Sequence, residues 1–336
     1  MKTFLNQSLI LFFFLSFCFS TNAIAIEEAF ITRPDKEGTQ TEVNVGIYVI
    51  DIETIDNVHQ HFVADFMLQV RWKDERLKGE PKTVDIDEIW WPNIEVLNGR
   101  DLSTDLPHRA EIDSNGNVLY RQRFYGNMAT QLDLKQFPFD TQKLPIKVLT
   151  LGHDSTQINI KFNANTSGNI DKFSNSDWEI ENGYGMVGLF KTRSLSKGQI
   201  ALPMVTFEFK AKRHVFYYVW KVIIPLMVIV MMSWAIFYIE PTQVAPQIGL
   251  AATSILTLIA FLFSLGKILP PIAYLTKIDF FVYGSLALVF LAFAEAMITI
   301  NLAGKNKLHQ AKRVDRISRW FFPITFILIL VLVYIF

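Results

Sequence analysis

Residues 247–263 read QIGLAATSILTLIAFLF. The stretch is apolar enough to lie in a bilayer. Yet one side of a helix drawn through it collects Gly249, Thr253, Thr257, Ala260 and, just beyond, Ser264. Hydrocarbon offers a hydroxyl no partner, so a helix surrounded by lipid has no use for such a column. Either the column packs against other helices, where small and hydroxyl residues are enriched, or it meets water.

The stretch is one of several apolar runs in a chain of 336 residues with zero formal net charge and 51% hydrophobic residues. Neutral charge argues against a nucleic-acid footprint, which needs a basic excess. The apolar runs concentrate at the N-terminus and again after residue 214. The opening MKTFLNQSLILFFFLSFCFSTNAIA has a lysine, an apolar run and an A-x-A ending at Ala25. It is predicted to be a secretory signal peptide over residues 1–25, removed from the mature chain. Cys18, the sole cysteine, lies inside it. Disulfides, thiolate metal sites and a cysteine nucleophile are therefore not expected.

Between residues 26 and 213 the pattern is that of strands. TEVNVGIYVID (41–51) puts Val43, Val45, Ile47 and Val49 on one face, and HFVADFMLQVRWK (61–73) does the same with Phe62, Ala64, Phe66, Leu68, Val70 and Trp72. Further alternating runs cover 117–124, 143–149, 157–162, 178–187 and 204–211. Many short strands with little helical pattern predict a two-sheet β-sandwich of roughly 190 residues, within the range of a single domain. Residues 214–336 are predicted to form a membrane half with spans near 215–238, 246–265, 280–302 and 321–336. The link 303–319 carries six Lys/Arg against one Asp and is expected to be cytoplasmic. Four spans then leave the sandwich outside, as the signal peptide also requires.

Several motifs now stand in order. QLDLKQFPFDTQKL (131–144) has the aromatic-Pro-aromatic-Asp centre of the loop that names the Cys-loop receptors, with Thr130 and Leu144 where eukaryotic members have two cysteines. WKDERL (72–77), WWPNIEVLN (90–98) and KRHVFYYVWKVIIPL (212–226) are similar to other landmarks of that family. The match covers nearly the whole mature chain, which resembles the prokaryotic pentameric ligand-gated ion channels; these lack the disulfide and the large cytoplasmic domain. The resemblance implies an all-β, immunoglobulin-like sandwich outside the cell, followed by a four-helix transmembrane bundle. It also implies assembly as a homo-oligomeric pentamer, multi-pass in the bacterial inner membrane. A small-molecule or ionic agonist, permeant inorganic ions and the lipid bilayer are the implied partners, with no nucleic acid, no metal and no cofactor.

On this resemblance the stripe Gly249, Thr253, Leu256, Ala260, Phe263 and Lys267 lines a central pore. Thr253, with Ser254 or Thr257 beside it, would replace part of an ion's hydration, and Leu256 and Phe263 would make apolar rings that gate by dewetting. The inner mouth, TQVAPQIGL (242–250), holds no acid near Gly249, and Gln247 stands where the family's anion channels have arginine. Lys267 puts positive charge at the outer mouth. Anion or weak selectivity is expected; a cation-selective member of the family is the alternative. Arg213, at the strand-to-span junction, needs an acid partner. Asp140 and Asp56 are the candidates, with Phe137, Pro138, Pro270 and Pro271 shaping the coupling surface between sandwich and pore. Whether Phe137–Pro138 is cis stays open in the sequence. Glu295, deep in the third span, is expected to pair with Arg316 or Arg319.

The family's agonist site lies between subunits, and in eukaryotic members it is an aromatic cage for an ammonium group. Here Leu97, Leu151–His153, Met67 and the loop KTRSLSKGQIALP (191–203) leave the matching positions poor in aromatics. Glu95, Arg121, Arg123, His153 and Arg193 suit a polar or anionic ligand instead. Relatives gated by acid have a histidine in the pore helix and a glutamate in the first turn, where this chain has Leu258 and Gln60. His59 and His61, read as one strand edge, would share a face. No G-x-S-x-G or H-E-x-x-H motif occurs, which argues against a membrane-anchored enzyme; a non-conducting receptor that uses the sandwich alone is the other rival.

Overall fold

The computed structural model describes residues 30–35, 38–194, 198–266 and 272–335. The expected signal peptide, Lys267, Pro270 and Pro271 lie outside the described residues.

The alternating runs become strands that share one core. An eight-stranded sheet runs β10-β1-β2-β7-β6-β3, with β5 on β7 and β9 on β1. Its members are β1 (Thr41–Asp56), β2 (His61–Lys73), β3 (Lys82–Asp85), β5 (Gly99–Thr104), β6 (Arg109–Ile112), β7 (Asn117–Ala129), β9 (Ile158–Phe162) and β10 (Gly168–Asn169). A five-stranded sheet runs β11-β13-β8-β4, with β12 on β13. It contains β4 (Ile94–Val96), β8 (Thr141–Thr150), β11 (Trp178–Ile180), β12 (Tyr184–Ser194) and β13 (Gly198–Arg213). Val43, Val45, Ile47 and Val49 of β1 and Phe62, Ala64 and Phe66 of β2 are completely buried. They meet Leu144, Ile146, Val148, Val205, Phe207 and Phe209 from the other sheet. Side chains on one face of each strand thus fill a common apolar layer, the packing expected of a sandwich.

Three differences from the alternation have physical causes. β1 continues past Asp51 to Asp56 because bulges at Val49/Asp51 and Ile52/Thr54 reset its facing, so Ile52 is buried although the simple alternation would turn it out. The run 178–187 is not one strand. It breaks between β11 and β12 at Gly183, where a Cβ would come within 2.6 Å of the Phe207 ring and 2.8 Å of the Phe209 ring. The short strands β3 to β6 are too brief for alternation to be visible in sequence.

The second half has four apolar helices, each long enough to cross a bilayer: α1 (Phe216–Tyr238), α2 (Val244–Leu265), α3 (Lys277–Gly304) and α4 (Leu308–Ile335). In α1 the turn Val219–Ile223 widens to a π-helix just before Pro225. A proline lacks an N–H and clashes with the carbonyl four residues back, and a wider turn accommodates both defects. α3 begins at a capping box: Thr276 accepts from the Asp279 N–H (3.3 Å), and the Asp279 carboxylate accepts from the Thr276 N–H (2.8 Å).

The fourth helix differs most from expectation. Residues 308–319, read as a link, are its first turns, and the connection from α3 is only Lys305–Lys307. Ala311, Asp315, Ser318, Phe322 and Phe326 are buried at helical spacing. The charged residues between them lower the hydropathy enough to hide the helix from a sequence scan.

Candidate functional site

One face of α2 is left uncovered by the other described residues of its chain. Gly249, Thr253, Thr257, Ala260 and Ser264 are exposed, and Leu256 and Phe263 are 69% and 78% exposed. The opposite face, with Gln247, Ala251, Ser254, Leu258 and Leu265, is buried against the other helices. The stripe named from sequence is therefore one continuous exposed surface as far as Phe263. Thr253 donates to the Gly249 carbonyl and Thr257 to the Thr253 carbonyl, each at 2.8 Å. With their protons engaged along the helix, both hydroxyl oxygens keep acceptor capacity on the exposed side. Ser254, the other hydroxyl considered, is buried and donates to the Leu250 carbonyl at 2.9 Å.

Gln247 is not at the exposed mouth. It is completely buried, and its Nε2 donates to the Ile239 carbonyl at 3.0 Å, tying the first turn of α2 to the chain leaving α1. Nearby Glu240 pairs with Lys312 of α4 at 2.8 Å, and that hydrogen bond holds its carboxyl below the usual range. The first turn of α2 carries no acidic residue, and no side chain caps it.

The junction between the two halves is built around Arg213, the last residue of β13. Its guanidinium, almost completely buried, meets Asp140 side-on: Nε to Oδ1 at 2.8 Å and a terminal nitrogen to Oδ2 at 2.9 Å. Such two-pronged pairs are among the strongest charge-assisted contacts. The Gln142 side chain donates to the same carboxylate, and Asn57 accepts from Arg213 at 3.0 Å. Aromatic faces complete the box, with the guanidinium 4.0 Å from the Trp178 ring centre and 4.7 Å from that of Phe137.

Asp56 does not join this group. Its carboxylate caps the turn, accepting from the Val58 and His59 N–H groups (2.7 and 2.9 Å) and meeting the His59 ring at 2.9 Å. Partial burial pushes its carboxyl up, but the hydrogen bonds from His59 and Val58 outweigh that and leave it below the ordinary value. Its neighbour Asn57 has the place at Arg213 that was expected for Asp56. His59 lies in this turn rather than on β2, so it shares no strand face with His61; the two rings are tilted and 6.1 Å apart.

Phe137–Pro138 is cis. The loop holding it docks on the start of α3, where the Phe137 and Lys135 carbonyls accept from the Ile278 and Lys277 N–H groups (3.2 and 3.1 Å). The Tyr274 hydroxyl accepts from the Leu134 N–H at 3.0 Å. One loop thus touches both the end of the sheet half and the helix following α2. Trp178 and Asn57 were not foreseen. The β11–β13 register sets Trp178 beside Arg213, a pairing that local sequence does not announce.

The five ligand candidates do not converge. Arg121 and Arg123 project from one face of β7 but are already paired, Arg121 with Glu111 at 2.5 Å and Arg123 with Asp65 at 2.6 and 2.9 Å. The Asp65 hydrogen bonds raise the Arg123 guanidinium further above its ordinary value. His153 accepts from the Trp90 indole N–H at 3.3 Å and faces Gln157 through its other ring nitrogen. Glu95 is exposed on β4 and Arg193 is exposed on β12, away from the β7 pair.

Comparison with known proteins follows the same division of the chain. Residues 29–215 match the family model described as the neurotransmitter-gated ion-channel ligand binding domain, and residues 222–312 match that of the neurotransmitter-gated ion-channel transmembrane region. A proton-gated ion channel of Gloeobacter violaceus is 25% identical over 293 residues, which cover 85% of this chain and 80% of the relative. The gamma-aminobutyric acid receptor subunit rho-3 of Rattus norvegicus is 26% identical over 306 residues. That match covers 86% of this chain and 64% of the rat subunit.

Proposed function

The chain belongs to the neurotransmitter-gated ion-channel family, the pentameric ligand-gated channels, and from that premise we propose that five copies of it surround an ion pore lined by α2. Membership makes it a multi-pass membrane channel protein and not an enzyme. The observation that carries the pore assignment is the uncovered face of α2. A helix exposing Gly249, Thr253 and Ala260 on the same stripe as Leu256 and Phe263 suits a narrow aqueous path with apolar constrictions better than it suits lipid.

In this reading, residues 26–213 form the ligand-binding half on the periplasmic face of a bacterial inner membrane, and residues 214–336 form the membrane half. The lysines and arginines around the α3–α4 connection mark the cytoplasmic side. An agonist, a small molecule or an ion, binds between neighbouring sandwiches. Glu95 and Arg193, exposed and on separate strands, are the candidates best placed for a polar ligand that bridges elements; Arg121, Arg123 and His153 would have to exchange existing partners first. Binding reaches the pore through the Arg213–Asp140 box and the cis-proline loop seated on α3.

The reading favours anion or weak selectivity. The positive end of the α2 dipole has no acidic residue in its first turn, and Glu240, the acid before it, is neutralised by Lys312. Reconstituted protein in planar bilayers should give ligand-dependent unitary currents whose reversal potential follows the chloride gradient. A reversal potential that follows sodium or potassium contradicts the selectivity assignment. Protein that assembles yet gives no unitary current under any ligand, proton or divalent-ion condition contradicts the pore.

A further inference from the structure

Two carboxyl groups face one another inside the four-helix half. Glu295 of α3 is 9% exposed and Asp315 of α4 is 2% exposed. Of the two partners expected for Glu295, Arg316 is exposed on α4, and Arg319 donates to the Phe237 carbonyl and makes no ion pair with Glu295 among the described residues. What stands opposite Glu295 is Asp315, with Ser318 beside it. Among the described residues, neither oxygen of the Glu295 carboxyl receives a hydrogen bond, and neither does Oδ1 of Asp315.

An ionised carboxylate can only accept hydrogen bonds. Two of them facing each other make no bond, repel, and are each costly to bury. A single proton changes all three terms: it supplies the missing donor, removes one charge, and makes an O–H···O⁻ contact of the short, strong kind. Charge counting agrees. Arg319, one turn further along α4, is the positive charge beside the pair. Its Nε donates to the Phe237 carbonyl at 2.9 Å, and its guanidinium lies 4.7 Å from the Tyr238 ring centre. From α1, Trp234 closes the group by donating to the Arg319 carbonyl at 3.1 Å. One guanidinium balances one carboxylate, not two.

We propose that Glu295 and Asp315 form a buried proton-binding site near the cytoplasmic end of the helix bundle, which holds one proton between the two carboxyls and so joins α3 to α4 through a shared hydrogen bond. The pair titrates as a unit, so a proton lost from it belongs to neither residue alone. Loss of that proton leaves two facing anions at the α3–α4 contact and loosens α4 from the bundle. The site makes no use of the α2 face or of an agonist, so it stands or falls separately from the proposed pore.

Infrared absorption of the full chain in lipid vesicles at neutral pH tests it, with the carboxyl carbons of Glu or of Asp isotope-labelled. A protonated-carboxyl C=O band that shifts with one or both labels and is lost in E295Q is the expected result. The glutamine amide there replaces the shared proton with an N–H donor to Asp315. If no protonated-carboxyl band responds to either label, or if the band persists unchanged in both E295Q and D315N, the site does not exist. The labelled wild-type protein needs no substitution, so a variant that fails to fold does not remove the test.

Discussion

Asp140→Asn is expected to leave the assembled protein unable to couple agonist to current. The substitution keeps the side-chain shape but removes the charge that the Arg213 guanidinium meets through two hydrogen bonds in a nearly solvent-free box. Stranding one partner of a buried pair costs about 3–5 kcal/mol. Part of that will appear as lower yield or a lower melting temperature of the detergent-solubilised oligomer. A double replacement, Asp140→Asn with Arg213→Gln, separates the two roles: with no orphan charge left, stability recovers in part while agonist-evoked current stays lost. Size-exclusion chromatography, thermal melting and voltage clamp on the same variants check this. Agonist responses of normal size from properly assembled Asp140→Asn protein would mean that the box only holds the fold together.

Leu256→Thr is expected to produce a standing current without agonist. Leu256 is among the most exposed apolar side chains of α2, and five copies of it around an axis make an apolar ring that excludes water when narrow. A hydroxyl at that level wets the ring and favours the conducting state. A shift of about 1.4 kcal/mol in the closed–open equilibrium changes it roughly tenfold. Phe263→Thr acts in the same direction nearer the outer end. Replacing Leu258, which is buried against its own bundle, should lower assembly and stability and give no standing current. Resting conductance normalised to surface protein distinguishes the two, and equal behaviour of Leu256→Thr and Leu258→Thr would count against an axial role for Leu256.

Much of the architecture was legible because each half follows a simple period. The valines of β1 and the aromatic and aliphatic residues of β2 repeat every second position, and burial against a second sheet makes that period readable. It fails where the backbone departs from regular pairing. The bulges in β1 arise in its pairing with β2, and the tight passage of Gly183 over Phe207 and Phe209 depends on rings brought from another strand, so no local window contains either. The start of α4 was missed for a different reason. Hydropathy responds to the charged residues on its outer side, while its buried column of Ala311, Asp315, Ser318 and Phe322 is polar in half its positions.

The candidate site divides in the same way. The α2 stripe could be named because it is a property of a single helix. Arg213 and Asp140 could be paired because a charge at the sheet–helix junction demands an opposite one and the family resemblance brings the 131–144 loop to that junction. The choice between Asp56 and Asn57 could not be made, since it turns on which side chain of one tight turn points inward, and the Asp56 carboxylate is consumed by the turn's own N–H groups. Glu295 was recognised as costly, but the rule that a buried charge wants an opposite one points to Arg316 or Arg319, whereas the residue of that stretch that faces it is Asp315. Arg121 and Arg123 looked available until cross-strand and neighbouring-strand acids were placed beside them.

The exposed face of α2 is expected to border water in the assembled protein. Cysteine substitution with charged, membrane-impermeant thiol reagents tests it directly, and the background is low because the sole native cysteine is Cys18. Cysteines at Gly249, Thr253 and Ala260 should react in the agonist-bound state and block current, whereas cysteines at Ala251, Ser254 and Leu258 should not. Reaction confined to the second set, with the first silent in every functional state, would contradict the account.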